Sequence, residues 1–108
     1  MDRKLFLQTS AAALEHLDEV LGDLEHERLD VNLAGDVLTL TFDDGAQFVI
    51  NAHSAAGQVW MAANKTAWHF DLSPPEPGGK WVASKNGDEL MGTVARVVGD
   101  KLGLTVEL

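Results

Sequence analysis

Phe6, Ser10, Ala13, Leu17, Val20, Leu21 and Leu24 recur at spacings of three and four. That is the period of one helix face, and it predicts an amphipathic helix over 4–25. Glu15, Asp18, Glu19 and Asp23 fall on the opposite face. From "ERLDVNL" (27–33) onward the period changes to two, the repeat of a half-buried strand. "VLTLTF" (37–42) alternates strictly, with Leu38, Leu40 and Phe42 on one side and Val37, Thr39 and Thr41 on the other. "DDG" (43–45) is a hairpin signal, and "AQFVIN" (46–51) places Phe48 and Ile50 inward. "HSAAG" reads as a loop before a strand over 58–64. "NKT" turns into "AWHFDL" (67–72), where Trp68 and Phe70 share a face and His69 points away. "SPPEPGG" (73–79) is a loop, "KWVAS" (80–84) a last short strand, and 87–102 a second helix. Leu90, Val94, Val97, Val98 and Leu102 form that helix's stripe, with Gly103 as its C-terminal cap.

Helix, five or six strands on short turns, helix: this order implies an antiparallel meander. Two amphipathic helices at the chain ends can bury their stripes on one face of the sheet. The expected fold is α+β, a two-layer α–β sandwich with both terminal helices on one face of a five- or six-stranded antiparallel sheet. The other face stays open to water. Alternation puts Thr39, Thr41, Gln47, Val49, Asn51, Gln58, Trp60 and His69 there.

At 108 residues the chain reads as one domain, long enough to bury a core without staples. It has no Cys, which excludes thiolate metal sites and sulfur redox chemistry. No apolar run approaches a membrane span and the N-terminus does not read as a signal peptide, so the expected location is cytoplasmic. The formal charge is −9. Its distribution matters more than its sum. Between 15 and 44 stand Glu15, Asp18, Glu19, Asp23, Glu25, Glu27, Asp30, Asp36, Asp43 and Asp44 against one cation, Arg28. This argues against nucleic acid as a partner and for a metal ion or a cationic protein surface.

The helix acids crowd toward its C-terminus, where the macrodipole disfavours anions by about 0.3–1 kcal/mol each. Glu15/Glu19 and Glu19/Asp23 are like-charge i,i+4 pairs that cost roughly 0.2–0.5 kcal/mol each. A solvated face is the ordinary meaning of such charge. Local rules broken together tend to mark function. Carboxylates suit hard cations such as iron, manganese, calcium or magnesium, and on a convex helix they bind weakly and through water. A tighter alternative is a stripe of His16, Glu19, Asp23 and His26, which requires the helix to persist to residue 26. On the open sheet face, Trp60 beside Val49, Asn51 and Gln58 has the composition of a protein-docking hot spot. Catalytic motifs are absent: there is no H-E-x-x-H, G-x-S-x-G or phosphate-binding glycine loop, and an enzyme is not expected.

"VINAHSAAGQVWMAANKTAWHFDL" (49–72) resembles the signature region of the bacterial frataxin (CyaY) family, through Val49, Asn51, Gln58, Trp60, His69, Phe70 and Asp71. "GDVLTLTFDDG" (35–45) resembles the preceding hairpin, and the two terminal helices complete the layout. The resemblance implies a role in iron–sulfur cluster assembly, with ferrous and ferric iron bound weakly on an acidic ridge. It implies contact with a cysteine desulfurase and an iron–sulfur scaffold protein, and a monomer that iron could drive to oligomerise. The ridge carries over to Asp18, Glu19, Asp23 and Asp30, with Glu15, Glu25 and Glu27 nearby, and the docking face to Asn51, Gln58 and Trp60. An iron oxidase using the helix histidines and carboxylates is the enzymatic alternative, and an acidic docking module without metal is the other. The chain departs from the family pattern at Gly22, Arg28 and Asn32, where relatives carry acids, and at Ala55 or Ala56, where a proline is usual. In this fold the chain after the second helix fills the groove between the helices, a task expected of Leu104 and Val106.

Overall fold

A computed structural model describes residues 2–108. The elements are α1 (Arg3–Asp23), β1 (Leu29–Ala34), β2 (Val37–Phe42), β3 (Gln47–His53), β4 (Gln58–Ala63), β5 (Thr66–Ser73), β6 (Lys80–Ala83) and α2 (Leu90–Leu102). The six strands form one antiparallel sheet in sequence order, β1-β2-β3-β4-β5-β6. The sandwich expected from the sequence is therefore present, with six strands. The register follows from the turns. Gly35 takes a positive φ of 61° in the two-residue β1–β2 connection. Asn64 and Lys65 sit at φ 52° and 64° between β4 and β5, the left-handed pair that matches a hairpin's twist.

Side-chain alternation sorts the sheet into two faces. Leu38, Leu40, Phe42, Phe48, Ile50, Val59, Met61, Phe70 and Leu72 are buried on the helix side. They meet Phe6, Leu14, Leu17 and Leu21 of α1 and Leu90, Val94, Val97 and Val98 of α2. Each such side chain, fully buried, contributes about 1.5–3 kcal/mol. Leu14, absent from the expected stripe, is 1% exposed, whereas Val20 and Leu24 are only partly buried. α1 packs against β1, β2 and β3, and α2 against β6.

Both helices are shorter than the periodicity suggests. α1 stops at Asp23, because Leu24 caps it and Glu25 turns left-handed at φ 46°. α2 begins at Leu90, not near 87. Asn86, Gly87 and Asp88 form a turn instead, with Asn86 Oδ1 accepting the Asp88 N–H and Gly87 at φ 78°. The Glu89 carboxylate then caps the helix by accepting the backbone N–H groups of Met91 and Gly92. At the other end Gly103 adopts the left-handed cap conformation, and the N–H groups of Gly103 and Leu104 both donate to the Gly99 carbonyl. The chain then lies back over the helices. Val106 is buried and Leu108 packs against the core, but Leu104 is 37% exposed. Leu104 therefore does not fill the groove. The cap points it outward, and the register of the tail gives that task to Val106 and Leu108.

Candidate metal-binding ridge and docking face

Beyond its Asp2 cap, whose carboxylate accepts the Leu5 N–H, α1 carries its charges in the order that opposes its own dipole. Arg3 and Lys4 stand in the first turn, and no basic residue stands in the last. Glu15, Glu19 and Asp23 are exposed and Asp18 is half-buried. Among the described residues none of these four carboxylates is in an ion pair; the two ion pairs present are Arg28 with Asp43, at 3.6 Å, and Lys101 with Asp44. Arg28, the single cation of the acidic segment, is turned away from the helix, since its Nη2 also donates to the Lys101 carbonyl at 3.1 Å. Asp44 is held below the ordinary carboxylate range, first by its hydrogen bond from the Lys101 ammonium and then by the Ala46 backbone N–H. The two cations near the acidic stretch are thus occupied at the β2–β3 turn.

Asp30 is exposed on edge strand β1, opposite Thr41, and so points to the open side of the sheet. The helix acids and Asp30 lie on either side of that edge. They form a convex strip, and among the described residues no three His, Asp or Glu side chains converge to hold a metal ion. The tighter stripe of His16, Glu19, Asp23 and His26 is not realised. The helix ends three residues before His26, whose Nδ1 accepts the Arg28 backbone N–H at 3.1 Å. His16 Nε2 faces the Leu108 carbonyl oxygen at 2.8 Å.

The open sheet face is centred on β4. Asn51 pairs directly with Trp60, and Trp60 with His69. Val49, Asn51, Gln58 and Trp60 are each half-buried, with no helix above them. Trp60 is therefore on the face expected. The indole is more ordered than its position alone suggests. His53 stacks on one side of it, with ring centroids 3.8 Å apart and planes 14° from parallel. His69 stacks on the other, at 4.4 Å and 18°. The indole Nε1–H donates to Gln58 Oε1 at 2.8 Å, and Gln58 Nε2 donates to Asp71 Oδ1 at 3.1 Å.

His53 is the member of this cluster that sequence reasoning missed; Asp71, already matched in the signature region, gains a role here as the acceptor that holds Gln58. The sequence pattern puts His53 in a loop, but β3 runs on to it, and the period of two places it on the face of Asn51. Extending the strand by two residues is the signal that finds it. The cleft of about 320 Å³ between Arg3, Phe6 and Leu7 of α1 and Leu33, Asp36 and Ser54 lies apart from the docking cluster.

A family model described as a frataxin-like domain matches residues 1–104. The iron-sulfur cluster assembly protein CyaY of Neisseria meningitidis serogroup B is 30% identical over 108 residues, 100% of this chain and 96% of that protein. Its namesake in Cupriavidus metallidurans is 28% identical, over 95% of this chain and 92% of the relative. Among solved structures, the frataxin from Psychromonas ingrahamii superposes with a TM-score of 0.85, covering 99% of this chain and 97% of that one; at 24% identity this likeness speaks to the fold. A trimeric frataxin from the yeast Saccharomyces cerevisiae, complexed with ferrous iron, matches with a TM-score of 0.73 and 28% identity, over 87% of this chain and 85% of that one. Sequence and fold agree along the whole length, and the chain belongs to the frataxin-like family.

Proposed function

We propose that this protein is a non-enzymatic, iron-binding adaptor of iron–sulfur cluster assembly. The ridge of Asp18, Glu19, Asp23 and Asp30, with Glu15 beside it, attracts ferrous or ferric iron as cargo and also the basic surface of a cysteine desulfurase. The open face of Val49, Asn51, Gln58 and Trp60 docks the scaffold protein on which clusters are built. One observation carries the proposal: the carboxylates of α1 stand unpaired where the helix dipole already repels them, while the nearby cations are spent elsewhere. The relatives' names, and the yeast structure with ferrous iron, support the same reading. Because the carboxylates do not converge, iron is held weakly, by one or two carboxylates and water at each position. A convex strip also leaves the metal accessible to a receiving protein.

Anaerobic calorimetric titration with ferrous iron tests this. Binding in the micromolar range or weaker, lost when Glu19 and Asp23 are changed to asparagine or glutamine, is the expected result. No heat of binding in the unmodified chain would leave an acidic docking module without metal, for which the ridge serves only electrostatic steering. The iron oxidase reading loses its site, since His16 and His26 do not share a helical stripe with Glu19 and Asp23.

A further inference from the structure

We infer that His53 and His69 are positioning residues of the docking face, clamping both faces of the Trp60 indole so that a partner meets the ring by its edge. This rests on the reading of the open face as the scaffold-protein surface. Strands in a sheet lie about 4.7–4.9 Å apart. The stacking steps of 3.8 and 4.4 Å are close to that spacing, and the three rings come from three adjacent strands, β3, β4 and β5. The stack therefore runs across the strands, with the rings standing side by side on the sheet rather than lying flat on it.

Each ring has something that fixes it. His53 Nδ1 accepts the Ala56 backbone N–H at 3.3 Å, which ties the imidazole to the β3–β4 turn. A neutral His53 with Nδ1 so engaged carries its proton on Nε2. Trp60 is fixed in its own plane by Gln58, which Asp71 holds in turn. His69 is the direct cross-strand partner of Trp60 and closes the second face.

Two consequences follow for recognition. A tryptophan ordered before binding loses less freedom when a partner arrives. A ring covered on both faces also has no surface left for a guanidinium or an aromatic ring to stack on. What it offers is its rim, the positive end of the ring quadrupole, flanked by imidazole N–H groups and the Asn51 amide. This donor-rich strip fits carbonyl or carboxylate oxygens on a loop of the scaffold protein.

The test titrates the purified scaffold protein into the full chain and its His53→Ala, His69→Ala, double-alanine and double-phenylalanine variants. Indole N–H resonances are recorded by NMR for each free variant. The double-alanine variant should bind about tenfold more weakly, the scale of a lost hot-spot support. The double-phenylalanine variant, which keeps two flat rings, should restore most of that loss. The Trp60 indole resonance should move in the alanine variants, while those of buried Trp68 and Trp81 stay in place. Unchanged binding by the double-alanine variant, or no rescue by phenylalanine, would overturn the clamp and leave the docking reading standing. No binding by the unmodified chain would overturn the docking reading, and the clamp with it.

Discussion

Trp60 is the one tryptophan of three that is not buried: Trp68 and Trp81 are 7% and 5% exposed and belong to the core. Its neighbours, more than its own position, decide how it can be used, because the two imidazoles stack on its faces and the Gln58–Asp71 relay takes its N–H. A second residue with a plain structural consequence is Gly99. A Cβ built there would lie 2.7 Å from the Leu104 carbonyl oxygen, a backbone atom that cannot move without lifting the returning tail. Gly99→Ala should therefore destabilise the fold by about 1–3 kcal/mol, the usual cost of overpacking. Gly92, earlier in the same helix, has only the Glu89 carboxylate near, at 3.7 Å. Gly92→Ala should be neutral or stabilising by up to about 1 kcal/mol. Urea melts of the two variants check the contrast, and equal effects would mean that the tail does not press on α2. At this scale the sequence spoke clearly wherever alternation decides orientation, as for Phe48, Ile50 and Trp60. It was silent on His53, whose role depends on where β3 ends, and on Leu104, which a left-handed cap directs outward.

The first helix is the element on which the functional reading turns. Its apolar stripe is anchored by Leu17, fully buried, and by Leu14 and Leu21 at 1% exposure. The stripe sets its orientation, so the carboxylates on the far side face water whatever their cost. That cost is real at the C-terminal end, where Glu19 and Asp23 meet the negative pole of the dipole, while at the N-terminal end the Asp2 carboxylate caps the helix beside Arg3 and Lys4. Replacing Asp18, Glu19 and Asp23 with lysine would relieve the dipole conflict and turn the Glu15/Glu19 repulsion into a Glu–Lys attraction, while lysines at 19 and 23 repel each other in place of the acids; the net gain is about 0.5–2 kcal/mol. The melting temperature should rise by several degrees, at about 4–8 °C per kcal/mol for a domain near this size, while desulfurase binding weakens. A lower melting temperature with binding retained would show that the acids serve folding and not recognition. The helix periodicity was legible from the sequence, but its end was not. Two residues at the C-terminus, Leu24 as cap and Glu25 in the left-handed region, separate a continuous histidine–carboxylate stripe from the convex strip that is present. A breaking conformation at a non-glycine residue leaves little trace in a hydrophobic pattern.

On the scale of the whole molecule, two layers divide two tasks. The helix layer buries the core and turns an acidic strip outward along the β1 edge; the sheet layer presents an aromatic and amide surface that no helix covers. The fold's cations near the acidic stretch are drawn to the β2–β3 turn, where Arg28 and Lys101 meet Asp43 and Asp44 and tie that turn to the end of α2. A formal charge of −9 is thus left unevenly compensated, and the ridge carboxylates are among those without an ion pair among the described residues. This segregation could be read in outline from the sequence, through the run of acids between 15 and 44, but which of them are neutralised depends on tertiary contacts between residues far apart in the chain. The most direct test of the central claim is a residue-by-residue NMR map of the chain titrated with ferrous iron under anaerobic conditions. Perturbation is expected to centre on Asp18, Glu19, Asp23 and Asp30, with Asn51, Gln58 and Trp60 undisturbed. Perturbation centred instead on Asp43 and Asp44, or none at all, would contradict it.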